Sequence, residues 1–408
     1  MQKKCLIESI VENGLCTGCG ICESLTAGKV SLAMDKGGYL RPVVSQPLSI
    51  SEERMVREVC PGISLEHGAL SVAYHPLWGP LHHVRTGYAN NPEIRFAGSS
   101  GGVLSALLVY LLETRTVDYV LHIGASEQEP LRNEVKISKD CADVLKGAGS
   151  RYSPSSPLTQ IDKYLNGPSR FAFVGKPCDV AALRQYARLN PLVDQKVSYM
   201  FSFMCAGIPS IKGTYAILDQ LQTKKEEVRR FAYRGNGWPG MTRVETHHGS
   251  VHEMDYATSW GTILNKHLQP RCKICPDGTG EFADVICADA WYGKDGYPDF
   301  TEQEGRSLII SRNDKGEALV KTCIAAGYMT TAPLEIAEIG KMQPYQETRK
   351  KMVLARLLAL RVLFRMIPRF SHLALIQAAA MGGLKANINN FLGMAKRLLA
   401  KQKIKTIT

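Results

Sequence analysis

The stretch LCTGCGICESLTAG places Cys16, Cys19 and Cys22 two residues apart from one another. That spacing lets three thiolates reach three corners of one iron–sulfur cubane. A bacterial ferredoxin would follow with a fourth cysteine before a proline, but the corresponding position here is Thr26. The fourth corner therefore needs a remote cysteine, and Cys60, followed by Pro61, is the natural candidate. Gly18 and Gly20 suit such a loop, because glycine lets backbone N–H groups turn inward towards sulfur. Cys16, Cys19, Cys22 and Cys60 are thus predicted to bind one 4Fe–4S cluster. The competing chemistry is a structural zinc site, which also uses four thiolates at short spacing.

A second group is more dispersed. Cys272 and Cys275 form a C-x2-C pair in RCKICPDGTGEFADVICADAW, with Cys287 further on. Cys178 in FVGKPCDVAAL and Cys205 in FSFMCAGIPS each follow an apolar, strand-like run. Both are therefore expected at strand ends, where α/β proteins gather their sites. Cys178, Cys205, Cys272 and Cys275 make a second four-thiolate set, with Cys287 competing for any one place. The alternative is that Cys205 and Cys287 are core residues. Cys5, Cys141 and Cys323 stand alone and read as buried small hydrophobes.

A phosphate-binding loop is the third feature. In RFAGSSGGVLSALLVYLLE, Ser99, Ser100, Gly101 and Gly102 directly precede an apolar helical run. Free N–H groups at a helix N-terminus favour an anion, and small residues let it approach the backbone. The simpler alternative is a serine N-cap. The stretch KGAGSRYSPSSP adds Lys146, Gly149, Ser150, Arg151 and Tyr152, again suited to a phosphate or pyrophosphate. Neither the Walker spacing nor G-x-G-x-x-G is present, so a P-loop enzyme and the usual dinucleotide fingerprint are disfavoured. His82 and His83 precede the serine–glycine loop and read chiefly as polar surface or satisfied core groups.

These motifs need elements to carry them. The chain has 408 residues, more than one core usually serves. Residues 1–75 form the first cysteine segment; residues 76–165 hold the phosphate loop and a buried strand, VDYVLHIG. Over residues 166–340, strand-like runs (FAFVG, VSYMFSFMC, ADVICAD, SLIISR) alternate with helical ones, which predicts an α/β body. Residues 341–408 read as a basic helical tail with 14 Lys and Arg against one acid, Glu347. The tail sums to +13 and the chain to +12, so the first 340 residues sum to −1. A neutral body argues against nucleic acid. Within the tail, Leu384, Ile388, Phe391, Leu392, Ala395, Leu398 and Leu399 recur at helical spacing among Lys396, Arg397 and Lys401. Such a helix either lies on an anionic membrane surface or folds back on the body. Arg361, Arg365 and Arg369 fall four apart, with Pro368 ending or kinking that helix. The first residues lack the apolar core of a secretory signal, and twelve cysteines then point to metal or redox chemistry in a reducing cytoplasm.

The motifs CTGCGIC with a remote CP, WGPLHHVRTGYA, IRFAGSSGGVLSALLVYLL, GSRYSP, FVGKPCDVAALR, FMCAGIPS, YRGNGWPG and RCKICPDGTGEFADVICADAWYG run in order through most of residues 14–300. Together they resemble the beta-subunit family of the coenzyme F420 (deazaflavin) hydrogenases and dehydrogenases. The basic tail is similar to that of members associated with polysaccharide loci. The resemblance implies an α/β flavin-binding body, a ferredoxin-like 4Fe–4S segment, FAD on GSSGG and GSRY, and two clusters on the cysteines above. It further implies electron exchange with a ferredoxin-like donor or acceptor, and hydride transfer to or from a small organic substrate. Assembly as an oligomer or complex subunit follows from the same source. Asp289, Arg234, Asn236 and Trp238 are then candidates for lining the substrate side, with Asp289 as proton donor. Two other readings stand beside this one. One is an electron-transfer subunit whose catalytic partner is another chain; the other is a zinc-stabilised scaffold at a membrane-associated assembly.

Overall fold

A computed structural model describes residues 5–294, 297–363 and 365–407. Its centre is an eight-stranded mixed sheet. In chain order its strands are β1 (His83–Ala89), β2 (Tyr119–Ala125), β3 (Asn133–Ser138), β4 (Phe171–Val174), β5 (Val197–Phe203), β6 (Val285–Asp289), β7 (Ser307–Ser311) and β8 (Met329–Pro333). Their spatial order is β8-β1-β7-β6-β5-β4-β2-β3. The central four, β2, β4, β5 and β6, run parallel, and antiparallel strands flank them on both sides. FAFV and VICA are continuous apolar runs because β4 and β6 are buried on both faces.

Two helices cover opposite faces. Helix α1 (Val103–Glu113) packs Val103, Leu107 and Leu111 with Phe201 and Ile309. Helix α2 (Pro177–Ala187) packs Val180 and Leu183 with Phe171 and Phe173. Pro177 suits the first turn of α2, where its missing N–H costs nothing. Helix α3 (Asp314–Ala325) follows β7 and is capped by Asn313.

The expected boundaries at 75 and 340 mark no break in packing. Leu6, Ile7, Leu15 and Val56 share one apolar cluster with Phe171, Leu183, Val353 and Leu360. Helix α4 (Pro344–Val362), predicted as tail, buries Met352, Val353, Leu357 and Leu360 against the body. It ends before Pro368, and Arg369–Ser371 instead forms a strand beside Ser64–Glu66. Arg361, Arg365 and Arg369 therefore do not share one helix face.

Helix α5 (Leu375–Gly382) and helix α6 (Leu384–Ile407) complete the tail. Met394 is buried in α6, so the helix does fold back. Leu384, Ile388, Leu392 and Leu399 nevertheless stay exposed at 79, 48, 57 and 48%. At about 100° per residue these four fall within one narrow arc of the helix. No described helix is long and apolar enough to cross a membrane.

Glu281 ties three regions together. Its carboxylate accepts from Tyr74 Oη (2.6 Å), His67 Nε2 (3.1 Å) and Lys350 Nζ (2.5 Å) in a fully buried site. Burial works to raise its pKa, but Lys350 and His67 more than offset this and hold it at about 2. Glu281→Ala strands the buried Lys350 ammonium and should cost about 3–5 kcal/mol. The wild-type carboxylate contributes fully above about pH 4.5 and loses its effect as pH falls towards 2. Denaturant melts of wild type and variant should therefore differ most at neutral pH and converge on acidification. Equal stability at pH 7 would refute this role.

Candidate functional site

The parallel strands β4, β5 and β6 end on one side of the sheet, and sites collect at such carboxyl ends. Beyond β4 lie Gly175, Lys176 and Cys178; beyond β5 lie Met204 and Cys205; Asp289 closes β6.

The first cysteine loop docks against this edge. Gly18 and Gly20 have φ of +76° and +87°, and a Cβ on Gly20 would lie 2.7 Å from Thr159 Cγ2. The turn that results points N–H groups at sulfur. Gly18 N–H donates to Cys16 Sγ at 3.4 Å. Ile21 donates to Cys19, Glu23 to Cys22, and Gly62 and Ile63 to Cys60. Cys60 faces Cys16 and Cys19 although it comes from the end of helix Ile50–Val59. The fold thus brings Cys60 beside the first cysteine loop.

The second group also converges. Cys178 faces Cys205 and Cys275, and Cys205 faces Cys272 and Cys275. Ile208 N–H and Gln269 Nε2 each donate to Cys272 Sγ at 3.4 Å. Cys287 is not among them: it is buried in the core on β6, opposite Cys323. From β6 it borders the cavity described below as well as the core.

The two groups are neighbours. Gln269 donates to Thr17 O at 3.2 Å as well as to Cys272. Arg271 donates to Pro61 O at 3.0 Å, linking the residues after Cys60 and before Cys272. Lys176 and Asp179, a buried pair at 2.6 Å, lie between Cys19 and Cys178.

Burial raises all these shifted thiols, Cys19 to about 11 and Cys205 to about 12, and nearby thiolates push the same way. Arg41 and Lys176 oppose this at Cys16, and Arg349 opposes it at Cys205. Buried thiols with mutually repelling charges suit a cationic cluster, since metal binding deprotonates its thiol ligands. Among the described residues, no three cysteine sulfurs lie within 4.8 Å of one another. Sulfurs on one tetrahedral zinc, with Zn–S of about 2.3 Å, would sit about 3.8 Å apart. A cubane takes one sulfur at each corner and spreads them further.

Beside the second group opens a cavity of about 280 Å³. One wall is the turn Gly98–Gly102 at the head of α1. Gly101 and Gly102 have φ of +77° and +72°, and a Cβ on Gly102 would meet Ile94 O at 2.5 Å. No side chain caps α1, so its first-turn N–H groups remain free of a side-chain acceptor. The lining also includes the aromatic residues Tyr152, Tyr256, Trp260 and Trp291. Trp291 stacks on Trp238 at 4.6 Å and Tyr152 meets Trp260 at 4.7 Å. Cys205 and Lys176 reach the same cavity, joining it to the cysteine groups. Small residues at a helix N-terminus and aromatic rings in one cavity are the groups that suit the phosphate and the ring of a flavin nucleotide.

Of the residues predicted for this cavity, Ser99, Ser100, Gly102, Gly149, Ser150, Arg151, Tyr152, Arg234 and Asp289 line it. Four do not. Lys146 is exposed and pairs with Asp143 at 3.2 Å; Gly101 packs on Arg306; Asn236 is exposed in a left-handed turn; Trp238 is fully buried and stacks on Trp291 without lining the cavity itself.

The two arginines, read as phosphate or substrate contacts, are largely engaged within the protein. Arg151 donates to Asn133 Oδ1 and to the carbonyls of Phe231, Pro130 and Arg132. Arg234 grips Asp289 with two nitrogens (2.9 and 2.7 Å) and donates to Pro239 O and Ser99 O. Asp289 also accepts from Trp238 Nε1 at 2.7 Å. With both oxygens accepting, its carboxylate orients Arg234 and the aromatic wall and is poorly placed to donate a proton.

The sequence reading missed His122, Tyr256, Trp260, Gln343 and Gln346, which line the same cavity. His122 Nε2 pairs with Ser138 Oγ at 2.7 Å, and burial lowers its pKa. Gln343 donates to Asp289 O at 2.7 Å, while the buried Gln346 Oε1 has no partner. The isolated aromatics of YATSW were the only signal that could have flagged Tyr256 and Trp260.

The family model for the coenzyme F420 hydrogenase/dehydrogenase beta subunit N-term matches residues 84–162, and that for its C terminus matches 169–337. The coenzyme F420 hydrogenase subunit beta of Methanococcus voltae is 25% identical over 292 residues, covering 67% of this chain and 95% of that protein. The coenzyme F420-dependent sulfite reductase of Methanocaldococcus jannaschii is 26% identical over 327 residues, covering 77% of this chain and 46% of its own length. In fold, the chain is similar to one chain of the F420-reducing nickel–iron hydrogenase complex from Methanosarcina barkeri. The TM-score is 0.54 at 22% identity, covering 70% of this chain and 96% of the other.

Asp289→Ala leaves Arg234 buried without its anion and should cost about 3–5 kcal/mol. Thermal melting should drop clearly, with altered tryptophan fluorescence as Trp238 loses its acceptor. An Asp289→Ala protein that melts with wild type but has lost turnover would restore the proton-donor reading.

Proposed function

This chain belongs to the coenzyme F420 hydrogenase/dehydrogenase beta-subunit family, and from that we propose that it is an iron–sulfur flavoprotein oxidoreductase. In this reading the two cysteine groups would hold 4Fe–4S clusters and the cavity FAD, supplying one- and two-electron chemistry for a small organic substrate or a deazaflavin. The observation that carries it is the gathering of eight cysteines from five segments into two adjoining groups, the second opening on the cavity. Cys16, Cys19, Cys22 and Cys60 would hold one cluster, and Cys178, Cys205, Cys272 and Cys275 the other.

Flavin, when bound, handles two electrons with an organic partner and single electrons with a metal cluster. The chain's residues have separable tasks around it. The Gly98–Gly102 turn and the first N–H groups of α1 hold phosphate. Arg234, fixed by Asp289, keeps Ser99 and the aromatic wall in register. Tyr256 and Trp291 flank its guanidinium and exclude water from that end. Gln343 and Gln346 close the side next to Cys205. A ferredoxin-type donor or acceptor would supply or remove electrons at the first cluster. A role in polysaccharide biosynthesis and a place in a multi-subunit complex belong to the same proposal.

Anaerobic purification with iron, sulfide, zinc and flavin analysis tests this. About eight irons, the load of two 4Fe–4S clusters, with one FAD per chain are expected. Cys205→Ala should lower iron by about half, whereas Cys287→Ala should leave it unchanged. A colourless zinc protein without flavin would sink the reading.

The exposed stripe of α6, flanked by Lys385 and Lys396, supports peripheral contact with an anionic membrane surface. Flotation with phosphatidylglycerol vesicles should carry the protein, weaken at high salt and fail when the stripe is made acidic by Leu384→Asp with Leu392→Asp. Equal flotation of variant and wild type would remove the membrane from the proposal.

A further inference from the structure

At the end of the sheet away from the cavity lies a second cluster of ligating side chains. Strand β7 runs from Ser307, paired with Asp289, to Ser311, paired with Val285. His83 pairs with Ser311 on the other side of β7. Four residues of strand, roughly 13 Å, therefore separate His83 from the Asp289 end. Helix α3 begins just after β7 and places Asp314 and Glu317 over His82 and His83.

The geometry points to a divalent transition-metal site formed by His82, His83 and Glu317, with zinc as its chemical type. One ligating atom from each of these residues lies within 4.8 Å of the other two. His82 Nδ1 and His83 Nδ1 face each other at 2.8 Å, and His83 Nδ1 is 3.6 Å from Glu317 Oε1. On a tetrahedral zinc, atoms bound at about 2.0–2.1 Å lie about 3.4 Å apart. The two pairs that include His83 depart from that spacing by about half an ångström or less, and His82 and Glu317 lie within 4.8 Å of each other. His83, half exposed, has room to move.

Protonation supports the same assignment. His82 Nε2 lies 2.9 Å from Asp314 Oδ1, and a carboxylate only accepts, so the proton sits on Nε2. That leaves the lone pair of neutral His82 on Nδ1, directed at His83. A carboxylate behind a ligating histidine is the usual outer partner of a zinc site. In the metal-free state His83 Nδ1–H donates to that lone pair. A neutral His83 with its proton on Nε2 would present a second lone pair to the ion, with no net proton loss. Glu317 is 3% exposed and held by Arg85 at 2.9 and 2.6 Å and by Ser311 Oγ at 2.6 Å. Lys321 Nζ stands 3.6 Å from Oε1. These contacts fix the carboxylate, and the two cations balance Asp314 and Glu317, so affinity should fall below that of a four-thiolate site. Water would complete the coordination on the open side, and the bound ion would pin helix α3 to the ends of β1 and β7.

Equilibrium dialysis of the tag-free, metal-stripped but cluster-loaded chain against zinc chloride tests the site. One zinc per chain beyond the cluster metal is expected at pH 7.5. His83→Ala, at an exposed position that should not disturb folding, should lose that zinc while cluster absorbance stays constant. Asp314→Asn should weaken it about ten- to a hundredfold, the usual effect of removing an outer partner. If wild type takes up no extra zinc, or if His83→Ala binds it equally well, the site does not exist. Neither outcome depends on flavin or turnover; loading the cysteine groups serves only to keep zinc off their thiols, and the difference between wild type and His83→Ala reads the histidine site whatever metal those groups hold.

Discussion

Buried thiols cannot easily be thiolates, and most of the architecture follows from that constraint. A dry site disfavours each negative charge, and each neighbouring sulfur adds repulsion. Cationic side chains must therefore be brought in with the ligands. They come from three distant parts of the chain: Arg41 from the hairpin after the first loop, Lys176 from the end of β4, and Arg349 from α4. No single segment could supply both the sulfurs and their compensating charge. This explains why the cysteine segment, the sheet and the first tail helix share one core rather than forming separate domains.

The cavity obeys a complementary rule. Charged groups around it are paired with one another and not left waiting for a ligand. Arg234 is spent on Asp289 and Ser99, Arg151 on three carbonyls and an asparagine, and Lys176 on Asp179. An unpaired buried guanidinium would be costly whenever the site was empty. What remains open is backbone N–H and aromatic surface, which cost little to leave exposed to a small cavity. Recognition of an anionic, flat cofactor by such a wall needs shape and dipoles more than net charge.

The sequence was legible where chemistry imposes spacing. Cys16, Cys19 and Cys22 had to be close, and Pro61 marked Cys60 as their remote partner. Glycine pairs at 101–102 and 18–20 were readable because their left-handed backbone excludes other residues. Strand ends carrying Cys178 and Cys205 were readable from apolar runs. Side-chain direction was not. Whether an arginine points into a cavity or back into a loop depends on contacts such as Arg151 with Phe231, eighty residues away, which no local pattern encodes. The same holds for Asp289, whose role is set by Arg234 and Trp238. Composition was only partly informative at the C-terminus. The charge run from Lys341 reads as a basic helical tail that lies on a membrane or folds back on the body, and it does not reveal that Arg349 and Lys350 are buried at 4% exposure, where they neutralise sulfurs and Glu281.

That last point links surface to centre. Helix α4 lays Gln343 and Gln346 against the cavity and Arg349 against the second cysteine group, and on its outer side it carries α5 and α6. The exposed apolar stripe of α6 is therefore joined through α4 to the cavity and the second cysteine group. Helix α4 makes ionic contacts with the second cysteine group and with Glu281, and it also packs against α5 and α6. The position of the tail is thus a property of the site as much as of the surface.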